Sequence, residues 1–475
     1  MIPTFIYQEL IGPYGYDTLK RIGKIERYYH IYEYGAGFEV EETEDYTPAC
    51  LKSKQIRALI SKQAQFAFGK TPEHKVTCPS EPQDPEKGKV NESAIQDYLN
   101  SVLRKNHWSG KLIKGAKDCF IGGKVALKAT VSNDRIHIMF VPADGFVCET
   151  DIDDVDRLER IVFFYTVRDD EERERQRIWV QKYWLENGRC YMSERITDGN
   201  GKTVSGSETI EKQDTHLNQI PAYVILNDGL SGDTDGESDV ETVMAEDSWY
   251  NRMRSNNLDS LRKGMNQITY GINVDRDSIQ HFQIKPGAFW DVQGEPDKEP
   301  SINTISNDFT YNSAFQDTLS NLKQGMHDSL SVPDLNLESM KSIITSGKAM
   351  KAVYWPLICR CEEKMTAWKP ALIWLSELVI SAAEIYPDLK KVYGDFQKAD
   401  YSVTIDNQYP LPEDEDEERT LDMQEVTAQS RSRKSYLMKW GGTAHQGLTA
   451  EEADAELAQI AKEREMLEDS YEGDL

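Results

Sequence analysis

A chain of 475 residues with 39% hydrophobic and 29% charged side chains has the composition of a folded, soluble protein with about two to four structural units. Its net charge of −26 excludes tight neutralisation of many phosphates, which requires abundant Lys and Arg, although an acidic surface can also serve solubility alone. Seven cysteines without a repeated spacing predict a protein of the reducing cytoplasm. Residues 1–10 lack the pattern of a secretory signal, and the most apolar stretch, residues 371–383, is too short to span a bilayer.

The first 235 residues combine helix and strand patterns, which predicts an α+β first half. Apolar residues recur at helical spacing over residues 56–67 and 95–103, and the Pro-rich, charged residues 78–88 predict an exposed loop between them. Asp198-Gly199-Asn200-Gly201 predicts a hairpin turn. Runs rich in β-branched residues predict strands at residues 136–141, 161–167, 178–185 and 220–226.

A pair of helices around a β-rich excursion is predicted next. Ser and Asp side chains in residues 227–239 favour a helix start, and an interrupted apolar stripe continues to about Gly264. The other faces of this helix are polar, so we expect them to meet water or another subunit. Residues 266–308 lose helical periodicity, and a second amphipathic helix over residues 315–330 ends before Pro333.

A loop over residues 331–345 leads to a third helical pattern over residues 347–385. Pro356 and Pro370 lie inside it, and each removes an intrahelical hydrogen bond, so a kink or break is expected. An acidic run at residues 412–418 precedes helical sequence to the end of the chain and is interpreted as a solvated linker rather than a binding tail.

The search for catalytic motifs identifies no active site. Phe68-Gly69-Lys70-Thr71 ends like a phosphate-binding loop, but Ala64 stands where the upstream glycine is required. Ser346-Gly347-Lys348 could hold an anion at a helix start, although a loop-to-helix junction with a small residue for close packing is the favoured interpretation. Cys359 and Cys361 are one residue apart on a predicted helix and point about 200° apart, unlike a zinc pair.

An alternating acidic cluster is the remaining candidate for chemistry. Asp233, Asp235, Glu237 and Asp239 could present carboxylates to a divalent cation, but they lack the spacing of a calcium loop. Helix capping and solvation are the simpler interpretation. A metal-dependent DNA-processing enzyme therefore stays open as an alternative, testable by metal binding and DNA cleavage in Asp235→Ala.

Four segments in order resemble the portal family of tailed bacteriophages. They are LISKQAQFAFGKTP at residues 59–72, IPAYVILNDGLSGDTDGESDVE at residues 220–241, YNRMRSNNLDSLRKGMNQI at residues 250–268 and SGKAMKAVYWPLICRCEEKMTAW at residues 346–368. The family has no catalytic signature, so the ordered combination carries the resemblance.

The resemblance implies an α+β, portal-type fold with an α/β wing, a two-helix stem, a small β-rich clip, a long kinked helix and a helical crown. Strands near residues 401–405 would join the wing. The implied regions are a wing at 1–235, stem helices at 236–265 and 309–330, a clip at 266–308, a tunnel loop at 331–345, the long helix and return to the wing at 346–411, and a crown at 412–475.

The resemblance also implies a non-enzymatic role. The chain would form a homo-dodecameric ring at one capsid vertex, without a cofactor, a metal or membrane contact. Double-stranded DNA would pass through this ring during packaging, retention and ejection, and the protein would not read its sequence. Implied partners are the terminase large subunit, a head-completion or adaptor protein, and the major capsid and scaffolding proteins, in the host cytoplasm during assembly and then in the virion. The DNA-facing tunnel-loop candidates are Ser339, Lys341, Ser342 and Lys348, and the motor-docking clip candidates are Gln283, Lys285, Phe289 and Trp290.

The negative charge fits such a conduit, because an acidic wall disfavours phosphate contact while a few lysines steady a sliding duplex. The alternative within the particle is another structural head protein such as a head adaptor, whose usual small size argues against it.

Overall fold

The computed structural model describes residues 15–40, 42, 47–79, 85–151, 153–167, 177–198, 201–265, 268–274, 298–305, 310–335, 347–411, 415–442 and 447–472. It is an α+β protein. The chain divides into two compact units, Met1–Asp334 with Pro356–Pro410, and Leu335–Trp355 with Leu411–Leu475. Within the described part, no helix has the length and apolar character needed to cross a membrane.

The described residues before position 123 form four helices, and the two predicted ones are confirmed. Residues 55–68 form a helix as the periodicity predicted, and the second predicted helix begins at Pro85, inside the predicted loop, because proline suits the first turn of a helix. The four helices are α1 (Gly15–Tyr34), α2 (Gln55–Phe68), α3 (Pro85–Lys105) and α4 (Trp108–Gly122).

Two antiparallel sheets follow, with strand orders β3-β2-β9 and β4-β5-β6-β7-β8. All four predicted strands are confirmed. The strands are β2 (Lys124–Val131), β3 (Ile136–Pro142), β4 (Phe146–Thr150), β5 (Leu158–Val167), β6 (Arg177–Glu186), β7 (Arg189–Asp198), β8 (Ile210–Asp214) and β9 (Ala222–Leu226).

Turns set the register of the larger sheet. Asn187 and Gly188 have φ of 53° and 75° and form a two-residue turn that pairs β6 with β7. At the predicted turn, Gly201 N donates to Asp198 O at 3.0 Å, and Thr197 bridges to Thr203 antiparallel, so the chain reverses there as predicted.

Residues far apart in sequence close the first unit. Strand β1 (Glu73–Thr77) pairs antiparallel with β12 (Ser402–Asp406), with Glu73 opposite Asp406. The strand expected near residues 401–405 is therefore present. The remaining elements of this part are α5 (Asp239–Met265), β10 (Ile268–Ile272), β11 (Ser301–Ile305), α6 (Asn312–Ser329) and α8 (Asp388–Tyr393).

The third predicted helix, α7 (Gly347–Ile385), has the predicted bounds. Helical structure continues through Pro356 and Pro370, so neither proline breaks it. From Leu357 to Ala383 the helix buries an apolar face that includes Trp368 and Leu372.

The second unit contains α9 (Glu415–Thr427), α10 (Arg433–Trp440) and α11 (Ala450–Glu472). These helices confirm the prediction that helical sequence follows the acidic run. Trp440 Nε1 donates a 2.6 Å hydrogen bond to Asp422 Oδ2, which ties α10 to α9. Thr449 and Glu452 form a reciprocal capping box before α11, because Thr449 N donates to Glu452 Oε2 and Glu452 N to Thr449 Oγ1.

Candidate functional site

The helix pair α5 and α6 is the part of the first unit that corresponds to the predicted stem. The two helices pack against each other, and the Tyr311 hydroxyl, just before α6, donates a 3.2 Å hydrogen bond to Asn257 Oδ1 on α5. Strands β10 and β11, which follow α5 and precede α6, pair antiparallel. The described part of the predicted excursion is thus an antiparallel strand pair joined to two packed helices.

One face of α5 carries polar side chains at four-residue spacing, which we call the clamp row: Asp247, Asn251, Ser255 and Asp259. Each accepts a hydrogen bond from the backbone of the extended segment, residues 35–40 and 47–53, which forms neither helix nor strand. The donors are Ala36 N to Asp247 Oδ2 (3.0 Å), Ser53 N to Asn251 Oδ1 (2.8 Å), Leu51 N to Ser255 Oγ (2.9 Å) and Ala49 N to Asp259 Oδ1 (3.0 Å). Part of the polar face that was expected to meet water or another subunit therefore contacts its own chain.

Asp247 is the buried charge of the clamp row, with none of its surface exposed. Burial raises the pKa of its carboxyl to about 6, although hydrogen bonds from Ala36 N–H and from Asn251 lower it. Its Oδ1 is buried without a hydrogen-bond partner among the described residues. The clamp row therefore contains a carboxylate that is costly to keep ionised.

The start of α5 is fixed by a cap and by close backbone packing. Ser238 Oγ accepts a hydrogen bond from Val240 N at 3.1 Å and donates one to Ile121 O at 2.5 Å. A Cβ at Gly236 would collide with Gly123 O and with Asn227 N, so only glycine allows this approach. Residues 227–239 thus cap the helix as the sequence indicated.

A group of buried and partly buried polar side chains connects this start to α7. We call it the charged anchor, and its members are Asn227, Asp228, Asp239, Arg360 and Lys364. Asp239 Oδ1 lies 3.1 Å from both Arg360 Nη2 and Lys364 Nζ, and the Asp239 and Lys364 side chains are only 1% and 2% exposed. Asp228 Oδ2 lies 3.3 Å and 3.5 Å from the same two cations, and Lys364 also donates to Asn227 Oδ1. Such a group stabilises a fold only when all members are present, because an unpaired buried charge is costly.

The acidic cluster considered as a metal site is directed at separate partners. Asp235 pairs with Arg21 and lies 2.5 Å from Lys124 Nζ, while Asp233 Oδ2 accepts a 2.8 Å hydrogen bond from Leu230 N. Asp239 belongs to the charged anchor. In the part of the chain that the structure describes, no three His, Cys, Asp or Glu side chains come together as a metal site.

The structure also shows how the phosphate-loop-like motif and the cysteine pair are placed on their helices. Gly69, Lys70 and Thr71 follow the carboxyl end of α2, whereas a phosphate loop precedes the amino end of a helix, so this motif is not a nucleotide site. Cys361 is buried and Cys359 exposed, which confirms that they point apart.

The predicted DNA-facing and docking residues lie mostly outside the described part of the chain. Gln283, Lys285, Phe289 and Trp290 fall in residues 275–297, and Ser339, Lys341 and Ser342 fall in residues 336–346. Lys348 lies in the first turn of α7, with its side chain also outside the described part. These roles stay predictions. The sequence did not lead us to predict the clamp row or the charged anchor. The polar residues at four-residue spacing on α5 were a usable signal for the clamp row.

Comparison with known proteins gives one family. A family model described as phage portal protein, SPP1 Gp6-like, matches residues 15–469, nearly the whole chain. No curated protein matches the sequence. The family is structural and non-enzymatic, and it implies an oligomeric ring at a capsid vertex.

Proposed function

The chain belongs to the phage portal protein family, and we propose that it closes a ring through which double-stranded DNA passes during packaging, retention and ejection. The observation that carries this proposal is the packed pair α5 and α6 with its antiparallel strands, found within a family match that spans residues 15–469. The net charge of −26 supports weak contact with a sliding duplex, because an acidic conduit disfavours trapping of phosphates.

We assign the regions with the boundaries that the sequence predicted. Pairing of β1 with β12 supports the return of residues 346–411 to the wing. The helical second unit supports a crown at residues 412–475. The proposed partners are the terminase large subunit, a head-completion protein, and the capsid and scaffolding proteins, with the ATPase of the motor on another chain. Lys341→Glu tests the tunnel loop: impaired DNA packaging with intact rings is expected, and normal packaging would show that this lysine is dispensable.

An exposed aromatic side chain on α5 supports subunit contact. Trp249 is 55% exposed, and the helical repeat turns it about 200° away from Asp247 in the clamp row. The Arg252 guanidinium lies 5.2 Å from the centre of the Trp249 ring. Tryptophan and arginine are enriched where protein surfaces bind each other, so we assign this face of α5 to the contact with the next subunit.

Trp249→Ser tests this assignment, with ring formation measured by native mass spectrometry and negative-stain imaging. The wild type is expected to form rings with a central channel, and the variant to shift toward monomers at equal concentration. Tyr165→Ser is the matched control, since Tyr165 is 56% exposed and belongs to strand β5 rather than to the helix pair. If Trp249→Ser forms the same rings as the wild type, Trp249 does not make the subunit contact. A wild-type chain that stays a monomer at all concentrations would count against the portal function itself.

A further inference from the structure

A cleft of about 730 Å³ lies between the two sheets of the first unit. Strands β2 and β3 form one wall, and strands β5 and β6 form the other. The sheets meet at its buried end, where Lys128 of β2 donates a hydrogen bond to Gln181 Oε1 of β6. The lining residues belong neither to the clamp row nor to the charged anchor, and the proposed portal role gives this cleft no task.

Two aromatic side chains on the wall formed by β5 and β6 are accessible. Tyr165 is 56% exposed, and Trp179, which lies opposite it on the neighbouring strand, is partly exposed. Their ring centres are 4.8 Å apart, and the centre of the Trp179 ring lies 5.0 Å from Lys128 Nζ. Nucleobases stack on such side chains whatever their sequence, because every base has a π-face. This wall therefore offers a planar ring a stacking surface beside a cation.

The wall formed by β2 and β3 carries positive charge at the start of β3. His137 lines the cleft there and is exposed. Burial, and then the charges of Lys111, Arg135 and Lys128, lowers the pKa of this histidine, so the three cations lie around one point of the cleft. Arg135 is exposed and Lys111 is half-buried, so both are accessible to a ligand, while the buried Lys128 adds its charge from below. None of the three forms an ion pair with a carboxylate in the part of the chain that the structure describes.

The carboxylates of the cleft lie near the other end of β3. Asp144 follows this strand, and burial together with the charge of Glu26 on α1 raises the pKa of Asp144. At about 3.4 Å per residue, Pro142 at the end of β3 is about 17 Å from His137. Salt screens charges over about 8–10 Å, so these carboxylates do not neutralise the cations. An anionic group is therefore directed to the His137 end of the cleft.

We propose that this cleft binds a nucleoside monophosphate. The base stacks on Tyr165 and Trp179. The phosphate oxygens accept hydrogen bonds from the Arg135 guanidinium, the Lys111 ammonium and an N–H group of the His137 imidazole. A phosphate monoester carries about −1.5 to −2 charges at neutral pH, so it suits a group of several cations better than a carboxylate does. The volume is also suitable, since pockets for small ligands enclose about 300–1,000 Å³.

Isothermal titration of the full chain at pH 7 and matched ionic strength tests the proposal, with adenosine monophosphate and two of its fragments as probes. Adenosine keeps the base without the phosphate, and ribose 5-phosphate keeps the phosphate without the base. We expect saturable binding of adenosine monophosphate and at least tenfold weaker binding of each fragment. Absence of saturable binding would overturn the proposal. Equal affinity for either fragment would also overturn it, because the base or the phosphate would then contribute nothing.

Variants at exposed positions assign the two contacts. Tyr165→Ala removes a stacking ring, and Arg135→Gln removes a cation, so each should weaken the binding of adenosine monophosphate about tenfold. The salt dependence of binding distinguishes them, because only Arg135→Gln removes a charge that salt screens. We therefore expect a smaller salt dependence in Arg135→Gln and the wild-type dependence in Tyr165→Ala.

The matched controls carry the same changes outside the cleft. They are Tyr34→Ala on α1, where Tyr34 is 50% exposed, and Arg57→Gln, an exposed position on α2. Melting temperatures verify that all four variants fold. The proposal fails if Tyr165→Ala or Arg135→Gln binds adenosine monophosphate as tightly as its control.

Discussion

Helix α4 and helix α5 both belong to the first unit, but apolar contacts hold the first and polar contacts hold the second. The buried residues of α4 are almost all apolar, including Leu112, Ala116 and Phe120. Those of α5 include Asp239, Asp247, Asn251 and Ser255, each at most 1% exposed. Apolar packing is non-directional and tolerates repacking, whereas hydrogen bonds and ion pairs require defined distances and angles. We therefore expect the polar contacts to fix the position of α5 along its neighbours. Loss of one member should cause a large loss of stability.

The largest expected effect comes from breaking the charged anchor. Asp239→Ala leaves the Lys364 and Arg360 cations without their buried partner, so the free energy of unfolding should fall by about 3–5 kcal/mol. Chemical denaturation measures this loss. Lys398→Ala, which removes an exposed 2.6 Å pair with Glu384, should leave the free energy of unfolding nearly unchanged, because water screens a surface ion pair. Similar losses in the two variants would contradict the distinction between the regions.

The next effect concerns pH and the clamp row. The pKa of Asp247 is about 6 in the folded protein and 3.8 ordinarily, so its contribution to stability is full below about pH 4 and is lost as pH rises through 6. Asp247→Asn does not titrate, so from pH 4 to pH 7.5 its stability should rise relative to the wild type by about 2 kcal/mol. Denaturation of both proteins across this range measures the difference. A constant difference would show that Asp247 does not carry this charge penalty.

A smaller loss is expected from the middle of the clamp row. Asn251→Ala removes the acceptor of Ser53 N–H and the donor to Ala36 O, leaving backbone groups unpaired at a cost of about 1–3 kcal/mol. Amide hydrogen exchange should accelerate at Ser53 while α4 stays protected. Equal acceleration in both places would indicate general unfolding rather than release of the extended segment.

The smallest effect tests the tolerance of the apolar region. Ile60→Val on α2 removes one methylene from a fully buried side chain and should cost about 0.5–1.5 kcal/mol. A calorimetric loss as large as that of Asp239→Ala would show that apolar packing is as exacting as the charged anchor.

Periodicity predicted the long elements well, because a continuous apolar face repeats over several turns. Helix α7 has its predicted bounds, and α5, α6 and four strands lie where the patterns placed them. Strand β2 was missed because Lys124 and Lys128 interrupt its apolar pattern, although both lysines are buried. Strand β7 was missed because its sequence is largely polar, although Asn187-Gly188 before it was a usable hairpin signal.

The candidate site was only partly predictable. Capping by residues 227–239 followed from residue types, but the charged anchor joins Asp239 to Arg360 and Lys364 across 121 and 125 residues. A single sequence contains no mark that pairs such distant charges. The sequence predicted that the other faces of α5 are polar, but not which residues they contact. The partner of the clamp row is an irregular segment, which has no periodicity by which it could be identified.

The pairing of β1 with β12 has a consequence for synthesis on the ribosome. Thr77 and Ser402 lie at opposite ends of a 325-residue interval, which takes on the order of tens of seconds to translate. Throughout that time β1 has no β12 to pair with, and an unpaired strand edge is a site for aggregation. A nascent chain that stops before residue 402 should therefore depend strongly on chaperones, whereas one that includes β12 can cover the edge itself.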